Sequence, residues 1–137
     1  MIKIGVIGAG HLGKIHLKLL NSSTRFNLIG FYDTNKETSK ELSKKEGYKY
    51  FSNLDELFDN VDAIDIVSPT TTHYKIAKNV ILKKKHVFIE KPITDKTAHA
   101  MELIKLSKEN KIIGQVGHVE RFNPAYVASI NHFNNPQ

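Results

Sequence analysis

Short continuous apolar runs alternate along the chain with longer stretches in which apolar residues recur at helical spacing. Six such runs predict strands, at about residues 2–7, 27–32, 48–51, 63–67, 86–89 and 112–116. Strands that alternate with helices are typical of a parallel sheet. The pattern therefore predicts an α/β fold of the Rossmann type, a doubly wound parallel sheet of about six strands with helices on both faces.

The first apolar run leads directly into Gly8, Gly10 and Gly13, a Gly-x-Gly-x-x-Gly pattern that opens a helix. Gly8 permits a sharp turn, Gly10 lets the backbone approach a pyrophosphate, and Gly13 lets the helix pack tightly on the strand. The helix N-terminus adds unpaired N–H groups and the positive end of its dipole. His11 and Leu12 lie inside this loop, and we expect both beside the pyrophosphate.

The helix that follows the glycines carries Leu12, Ile15 and Leu19 on one face, as in an amphipathic helix. His16 lies on the same helix, and we interpret it as packed or hydrogen-bonded rather than catalytic. Asp65 interrupts the fourth apolar run, which should be buried on both faces. Because an isolated buried charge is costly, Asp65 must be paired, hydrogen-bonded or near the edge of the sheet.

An acidic residue ends the second apolar run at Asp33, twenty residues after Gly13. This is near the spacing of an acid that accepts hydrogen bonds from an adenosine ribose. A carboxylate there repels a 2′-phosphate, and residues 34–35 offer no arginine to bind one. The pattern favours NAD over NADP. Lys36 lies nearby and, as a cation, is the feature that argues for NADP. The alternative role for Asp33 is to cap a turn at the end of the strand.

Two further turns follow predicted strands at their carboxyl ends, where open α/β sheets bind ligands. The first contains Ser68, Pro69 and Thr70, with His73 one turn further on. Its hydroxyls and the histidine can donate hydrogen bonds to ribose or phosphate. The simpler alternative is that a threonine caps the next helix and Pro69 stiffens the turn, and both can hold at once.

The second turn is Glu90-Lys91-Pro92, at the end of the fifth predicted strand. Lys91 is placed to move a proton or to orient a substrate hydroxyl. Taken singly, a lysine at such a position is more often a solvated surface residue. Pro92 lacks an N–H and holds the chain extended as it leaves the sheet.

Composition narrows the remaining possibilities. The chain of 137 residues has 40% hydrophobic and 25% charged residues, as expected of one folded domain. It lacks cysteine, so disulfides and thiolate metal sites are excluded, and we predict no metal site. Neither a signal-peptide pattern nor a membrane-spanning run is present, and we expect a cytoplasmic location. The net charge of +6 comes without a nucleic-acid-binding motif, so we expect no nucleic-acid partner.

Three features together resemble the Gfo/Idh/MocA oxidoreductase family, and the most specific is Glu90-Lys91-Pro92. The other two are the glycine loop followed by His16, and the 68–70 turn followed by His73. The similarity covers the family's N-terminal dinucleotide-binding domain. It implies a Rossmann domain over residues 1–120 and, over residues 121–137, the start of a connection to a C-terminal substrate domain. We therefore expect this chain to be an incomplete part of a longer enzyme.

The resemblance also implies roles for individual residues. Lys91 would be the catalytic residue that contacts substrate near the nicotinamide, and Glu90 would lie at the cofactor. Residues 116–125 look like the segment of family members that oxidise the 3-hydroxyl of UDP-N-acetylglucosamine or related UDP sugars. By that similarity, Arg121 and Asn123 would lie near the substrate or cofactor.

The sequence thus predicts the NAD-binding domain of a dehydrogenase that moves hydride between a sugar or sugar-nucleotide carbon and a nicotinamide. We expect the chain to be inactive alone. One alternative is a stand-alone nucleotide-sensing or interaction module without catalysis, and another is a relative acting on a small substrate such as an inositol. Apolar residues in 116–133 should be exposed on an isolated domain, which predicts a homo-oligomer.

Overall fold

The computed structural model describes residues 1–134, with side-chain surroundings for residues 1–130. The strands are β1 (Ile2–Ile7), β2 (Phe26–Tyr32), β3 (Ala63–Ile66), β4 (His86–Glu90) and β5 (Gly114–Gly117). The helices are α1 (His11–Asn21), α2 (Lys36–Glu46), α3 (Leu54–Asp59), α4 (Thr70–Leu82), α5 (Thr97–Glu109) and α6 (Pro124–Asn134), and a 3₁₀ helix spans Val119–Phe122. None of the helices within residues 1–134 has the length and hydropathy needed to span a bilayer.

All five strands are parallel and lie in the order β2-β1-β3-β4-β5. The chain leaves β1 toward one edge of the sheet and, after β2, returns to build β3, β4 and β5 toward the other edge. The direction of winding therefore reverses between β1 and β3. In open α/β sheets a ligand binds outside the carboxyl ends of the strands at such a reversal. The topology confirms the predicted doubly wound Rossmann-type sheet.

Two hydrophobic clusters cover opposite faces of the sheet. Neighbouring residues of β1 belong to different clusters: Val6 packs with Leu17 of α1 and Leu42 of α2. Ile7 belongs to the larger cluster, to which α3, α4 and α5 contribute buried residues. Because successive side chains of a strand point to opposite faces, this arrangement confirms helices on both faces.

One of the six predicted strands, at residues 48–51, is wrong. There the structure forms one isolated bridge, between Phe31 and Tyr50. Two backbone hydrogen bonds hold this contact, from the Phe31 N–H to the Lys49 carbonyl oxygen and from the Phe51 N–H to the Phe31 carbonyl oxygen. The Phe51 side chain is buried in the core. Tyr48 and Tyr50 pack against the other hydrophobic cluster, so the aromatic residues of this run are accommodated without a strand.

The apolar face predicted for α1 is largely exposed and does not form the contact with the sheet. Leu12, Ile15 and Leu19 are 43%, 42% and 62% exposed, whereas Gly13 and Leu17 are buried. Positions 13 and 17 lie one turn apart and form the stripe that contacts the sheet. Helical spacing identified a helix correctly, but it did not reveal which stripe faces inward.

The described part of the chain leaves an apolar concave surface beside α1. An apolar hollow of about 490 Å³ lies there, and its lining includes Leu19, Ile64, Val87, Phe88 and Ile113. Parallel sheets are ordinarily covered on both faces. Val119 and Phe122 are exposed as well, as predicted for the segment after the last strand, whereas the side chains of residues 131–133 lie outside the described part of the chain.

The close approach of α1 to the first turn generates a prediction for two glycine variants. A Cβ on Gly13 would lie 2.0 Å from the Gly8 carbonyl oxygen, whereas a Cβ on Gly10 would meet no atom within 4 Å. We expect Gly13→Ala to cost at least ~2 kcal/mol through overpacking. Gly10→Ala, its matched control, should cost about 1 kcal/mol or less. Urea unfolding followed by circular dichroism measures both, and equal stabilities would contradict the packing argument.

Candidate functional site

The glycine loop between β1 and α1 has the geometry that its sequence predicts. Gly8 has φ of +102°, a left-handed conformation that favours glycine. A Cβ at Gly8 would also lie 2.7 Å from the Val67 carbonyl oxygen. Its N–H donates to the Tyr32 carbonyl oxygen at 2.9 Å. The turn is therefore held between the ends of β2 and β3, and no larger residue fits it.

The open side of this loop is available to a ligand. Gly10 is the exposed N-cap of α1, and no side chain caps the helix or places an acidic group in its first turn. The first N–H groups of a helix have no partner within it, and His11 and Leu12 supply two of them from exposed positions. Uncapped N–H groups beside a glycine without neighbours fit a pyrophosphate.

Asp33 lies against the same loop. Its Oδ2 accepts a hydrogen bond from the Ala9 N–H at 2.7 Å, and its Oδ1 accepts one from the Asn35 N–H at 2.9 Å. The carboxylate is half-buried. Asp33 therefore orders its own turn, as the alternative interpretation expected. Its carboxylate also lies beside the glycine loop, and its contact with a ribose stays a prediction.

His73 joins the two later turns instead of facing the open edge. Its ring is 1% exposed. Nε2 lies 2.7 Å from the Ser68 carbonyl oxygen, and Nδ1 lies 3.0 Å from the Pro92 carbonyl oxygen. Neither ring nitrogen is left for a ribose or phosphate. His73 therefore contributes to the candidate site by holding two of its loops together. The predicted direct contact between its ring and a cofactor is not supported by this geometry.

The turn before α4 is organised largely by its own hydroxyl groups. Ser68 Oγ lies 2.7 Å from Thr72 Oγ1, which donates to the Pro69 carbonyl oxygen at 2.7 Å. Pro69 is the N-cap of α4, and Thr70 is its first residue. Ser68, Pro69 and Thr70 therefore lie at the carboxyl edge next to the glycine loop, where they were predicted, and they stay predicted cofactor contacts.

Glu90 is the last residue of β4 and Lys91 follows it at the same edge, but their side chains face different surroundings. Lys91 is exposed, whereas the Glu90 side chain is 12% exposed. Glu90 Oε2 accepts a hydrogen bond from the Lys91 N–H at 3.1 Å. The lysine ammonium is thus accessible to a substrate, while the neighbouring carboxylate is turned toward the protein.

A buried ion pair near this edge was not anticipated from the sequence as a pair. His16 Nδ1 lies 2.8 Å from Asp65 Oδ2, and the Asp65 side chain is 5% exposed. The hydrogen bond to Asp65 raises the pKa of His16, and burial raises the pKa of Asp65. The one sequence signal was the acid inside a buried strand, which required a partner but did not identify it.

The segment after β5 places its two predicted substrate residues differently. Arg121 lines a cavity of about 790 Å³ together with His16, Glu90 and His118. The side chain of Asn123 is engaged locally: its Nδ2 donates to Glu120 at 2.8 Å, and its Oδ1 accepts from the Ala125 N–H at 3.0 Å. Arg121 thus borders a cavity beside Glu90, and Asn123 orders the start of α6. A contact of either residue with substrate or cofactor stays a prediction.

Comparisons with known proteins agree with this geometry. Residues 2–118 match the model of a family described as an oxidoreductase family with an NAD-binding Rossmann fold. UDP-N-acetylglucosamine 3-dehydrogenase of Acidithiobacillus ferrooxidans is 36% identical over 124 residues, 90% of this chain and 39% of that protein. Glucose-6-phosphate 3-dehydrogenase of Bacillus subtilis is 31% identical over 131 residues, 96% of this chain and 36% of that protein.

Solved structures show the same similarity. The structure of the Acidithiobacillus ferrooxidans enzyme superposes with a TM-score of 0.86 at 35% identity, over 93% of this chain and 42% of that one. GenD2 from gentamicin A biosynthesis, in complex with NAD, superposes with a TM-score of 0.86 at 27% identity, over 93% of this chain and 37% of that one. The chain thus spans about two fifths of the length of the relatives it matches.

The His16–Asp65 pair predicts how stability depends on pH. A histidine whose pKa is raised by folding contributes stability below its unfolded pKa of about 6.5 and loses it as the pH rises through the folded pKa. We expect the stability of the wild type relative to Asp65→Asn to fall as the pH rises from about 6.5 through the raised pKa of His16. Denaturant titrations across this range measure the difference. A relative stability that is constant or rises with pH would contradict the pairing.

Proposed function

We propose a dehydrogenase role for this chain. The chain belongs to the Gfo/Idh/MocA oxidoreductase family, and the model of that family describes an NAD-binding Rossmann fold. In this proposal residues 1–120 hold NAD and form one side of a site for a sugar or sugar nucleotide. The observation that carries the proposal is the open glycine loop, in which the Ala9 N–H donates a hydrogen bond to the Asp33 carboxylate at 2.7 Å. Residues 121–137 would begin the connection to a substrate-binding part.

The proposed cofactor site uses backbone groups more than side chains. The N–H groups at the start of α1 would hold the pyrophosphate, and Gly10 leaves them accessible because no atom lies within 4 Å of its Cβ position. The Asp33 carboxylate would accept hydrogen bonds from the ribose hydroxyls and repel a 2′-phosphate. His11, Leu12 and the 68–70 turn would border the cofactor on its two sides.

The proposed reaction removes a hydride from a sugar carbon and a proton from its hydroxyl, which leaves a ketone. Bound NAD supplies the hydride acceptor. Lys91 would orient the hydroxyl and assist removal of its proton, because it is exposed at the end of β4. Arg121, which borders the adjacent cavity, would contact the substrate. An exposed lysine at this end of the sheet favours an enzyme over a nucleotide-sensing module, which has no need of one.

The substrate class rests on the relatives. One acts on UDP-N-acetylglucosamine and another on glucose 6-phosphate, as their names state. We therefore propose a sugar or UDP-sugar substrate. As the sequence analysis predicts, we also propose a homo-oligomeric protein in the cytoplasm without a nucleic-acid partner. The chain covers less than half of these relatives, so the activity is proposed for this domain as part of a complete dehydrogenase.

Calorimetric titration with NAD and with NADP tests the cofactor site. We expect NAD to bind more tightly than NADP, and we expect Asp33→Asn to reduce that difference because it removes the charge that repels the 2′-phosphate. Asp33→Ala should weaken NAD binding further. Asp62→Asn is a matched control, because Asp62 also accepts a backbone hydrogen bond, from Lys3, but precedes β3 at the opposite end of the sheet. Binding unaffected by either Asp33 variant would exclude the proposed ribose site.

Catalysis is tested with the same preparation. Residues 1–137 should bind NAD but form no NADH steadily when UDP-N-acetylglucosamine is added, because the proposed site needs groups on the far side of the substrate. Absorbance of NADH measures turnover. Sustained turnover by the wild type would contradict this expectation. If such turnover were lost in Lys91→Ala, the chain would need no further residues, and if it persisted at the same rate in Lys91→Ala, the proposed role of Lys91 would be removed.

A further inference from the structure

Three ionisable side chains from three separate elements meet on the α1 face of the sheet. His16 comes from α1, Asp65 from β3 and Glu90 from the end of β4. Their side chains are only 17%, 5% and 12% exposed. His16 also packs beside the Phe88 ring, with 6.2 Å between ring centroids. Charged groups with so little access to water need one another.

The histidine lies between the two carboxylates. Its Nδ1 makes the 2.8 Å hydrogen bond to Asp65, and its Nε2 lies 3.6 Å from Glu90 Oε1, the distance of an ion pair rather than a hydrogen bond. A neutral imidazole has only one N–H to donate, whereas an imidazolium has two. Only the charged ring can therefore direct an N–H toward each carboxylate and balance their repulsion.

Glu90 carries this contact on to the reactive end of β4. Its other oxygen, Oε2, accepts the hydrogen bond from the Lys91 N–H. Gly117 of β5 leaves the space that Glu90 occupies, because a Cβ there would lie 2.7 Å from Glu90 Oε1. A continuous series of polar contacts thus runs from Asp65 through His16 and Glu90 to the backbone of Lys91.

We propose that His16, held by Asp65, is a positioning residue that fixes the Glu90 carboxylate and thereby the backbone of Lys91. His16 follows Gly13 by three residues on α1, so the helix that opens at the proposed pyrophosphate site also positions the proposed catalytic lysine. The significance for catalysis rests on the proposed function of Lys91, whereas the contact itself does not.

Other titratable or charged groups border this cluster and must be distinguished from His16. His86 lines the apolar hollow beside His16 and Asp65. His118 and Arg121 line the cavity on the side of Glu90. Among residues 1–130 Asp65 Oδ1 has no hydrogen-bond partner, so Asp65 depends on His16 for its one side-chain hydrogen bond.

The test is a pH titration of the isotopically labelled chain by NMR, without cofactor, so that failure of NAD binding cannot affect its outcome. The signals followed are the His16 ring and the Lys91 backbone N–H. We expect the Lys91 signal to shift with the same midpoint as the His16 ring. His16→Gln should abolish that inflection, and Asp65→Asn should move both midpoints to lower pH because the hydrogen bond to Asp65 raises the pKa of His16.

Two histidine variants serve as controls. His99 also lies beside a carboxylate, with its Nδ1 3.1 Å from Asp95, but it belongs to α5. His99→Gln should leave the Lys91 inflection in place, as should His118→Gln. A Lys91 signal that does not change through the His16 midpoint would overturn the proposal, as would an inflection that survives His16→Gln or disappears with His118→Gln. If His16→Gln does not fold, the common midpoint in the wild type and its shift in Asp65→Asn decide the question.

Discussion

The structure depends on one close approach, between the start of α1 and the turn after β1. Gly13 lies so near the Gly8 carbonyl oxygen that a Cβ would stand 2.0 Å from it. This contact sets the position of the helix relative to the sheet. It places the first N–H groups of α1 at the carboxyl edge, and three residues later it places His16 over Asp65. The proposed cofactor site and the buried ion pair therefore depend on the same contact.

The carboxyl edge of the sheet brings together turns that are distant in sequence. The glycine loop, Asp33, the 68–70 turn and Lys91 follow four different strands, and parallel pairing aligns the ends of those strands. His73 then links two of the turns through backbone carbonyl oxygens. Because its ring is buried, it stabilises the edge without occupying the space that a ligand needs.

Features with a local cause could be predicted from the sequence. The positive φ of Gly8 and the hydrogen bond from Ala9 to Asp33 agree with the predicted glycine turn and its acid. The strand predicted at residues 48–51 was wrong, and the apolar face predicted for α1 is largely exposed. An apolar residue is favoured by burial in any conformation, so Phe51 needed no strand, and Leu12 and Leu19 show that helical spacing alone does not orient a helix.

The sequence by itself determined the fold class, the glycine turn, the acid after β2 and the turns at the strand ends, because short-range backbone and side-chain chemistry specifies each of them. Only the tertiary structure decided that Asp65 pairs with His16, that His73 joins two loops, and that Glu90 turns inward. These contacts link residues 49, 19 and 74 positions apart, namely Asp65 with His16, His73 with Pro92, and Glu90 with His16. Such distances in sequence carry no local signal, and only packing of α1 and the strands into one sheet brings the partners within reach.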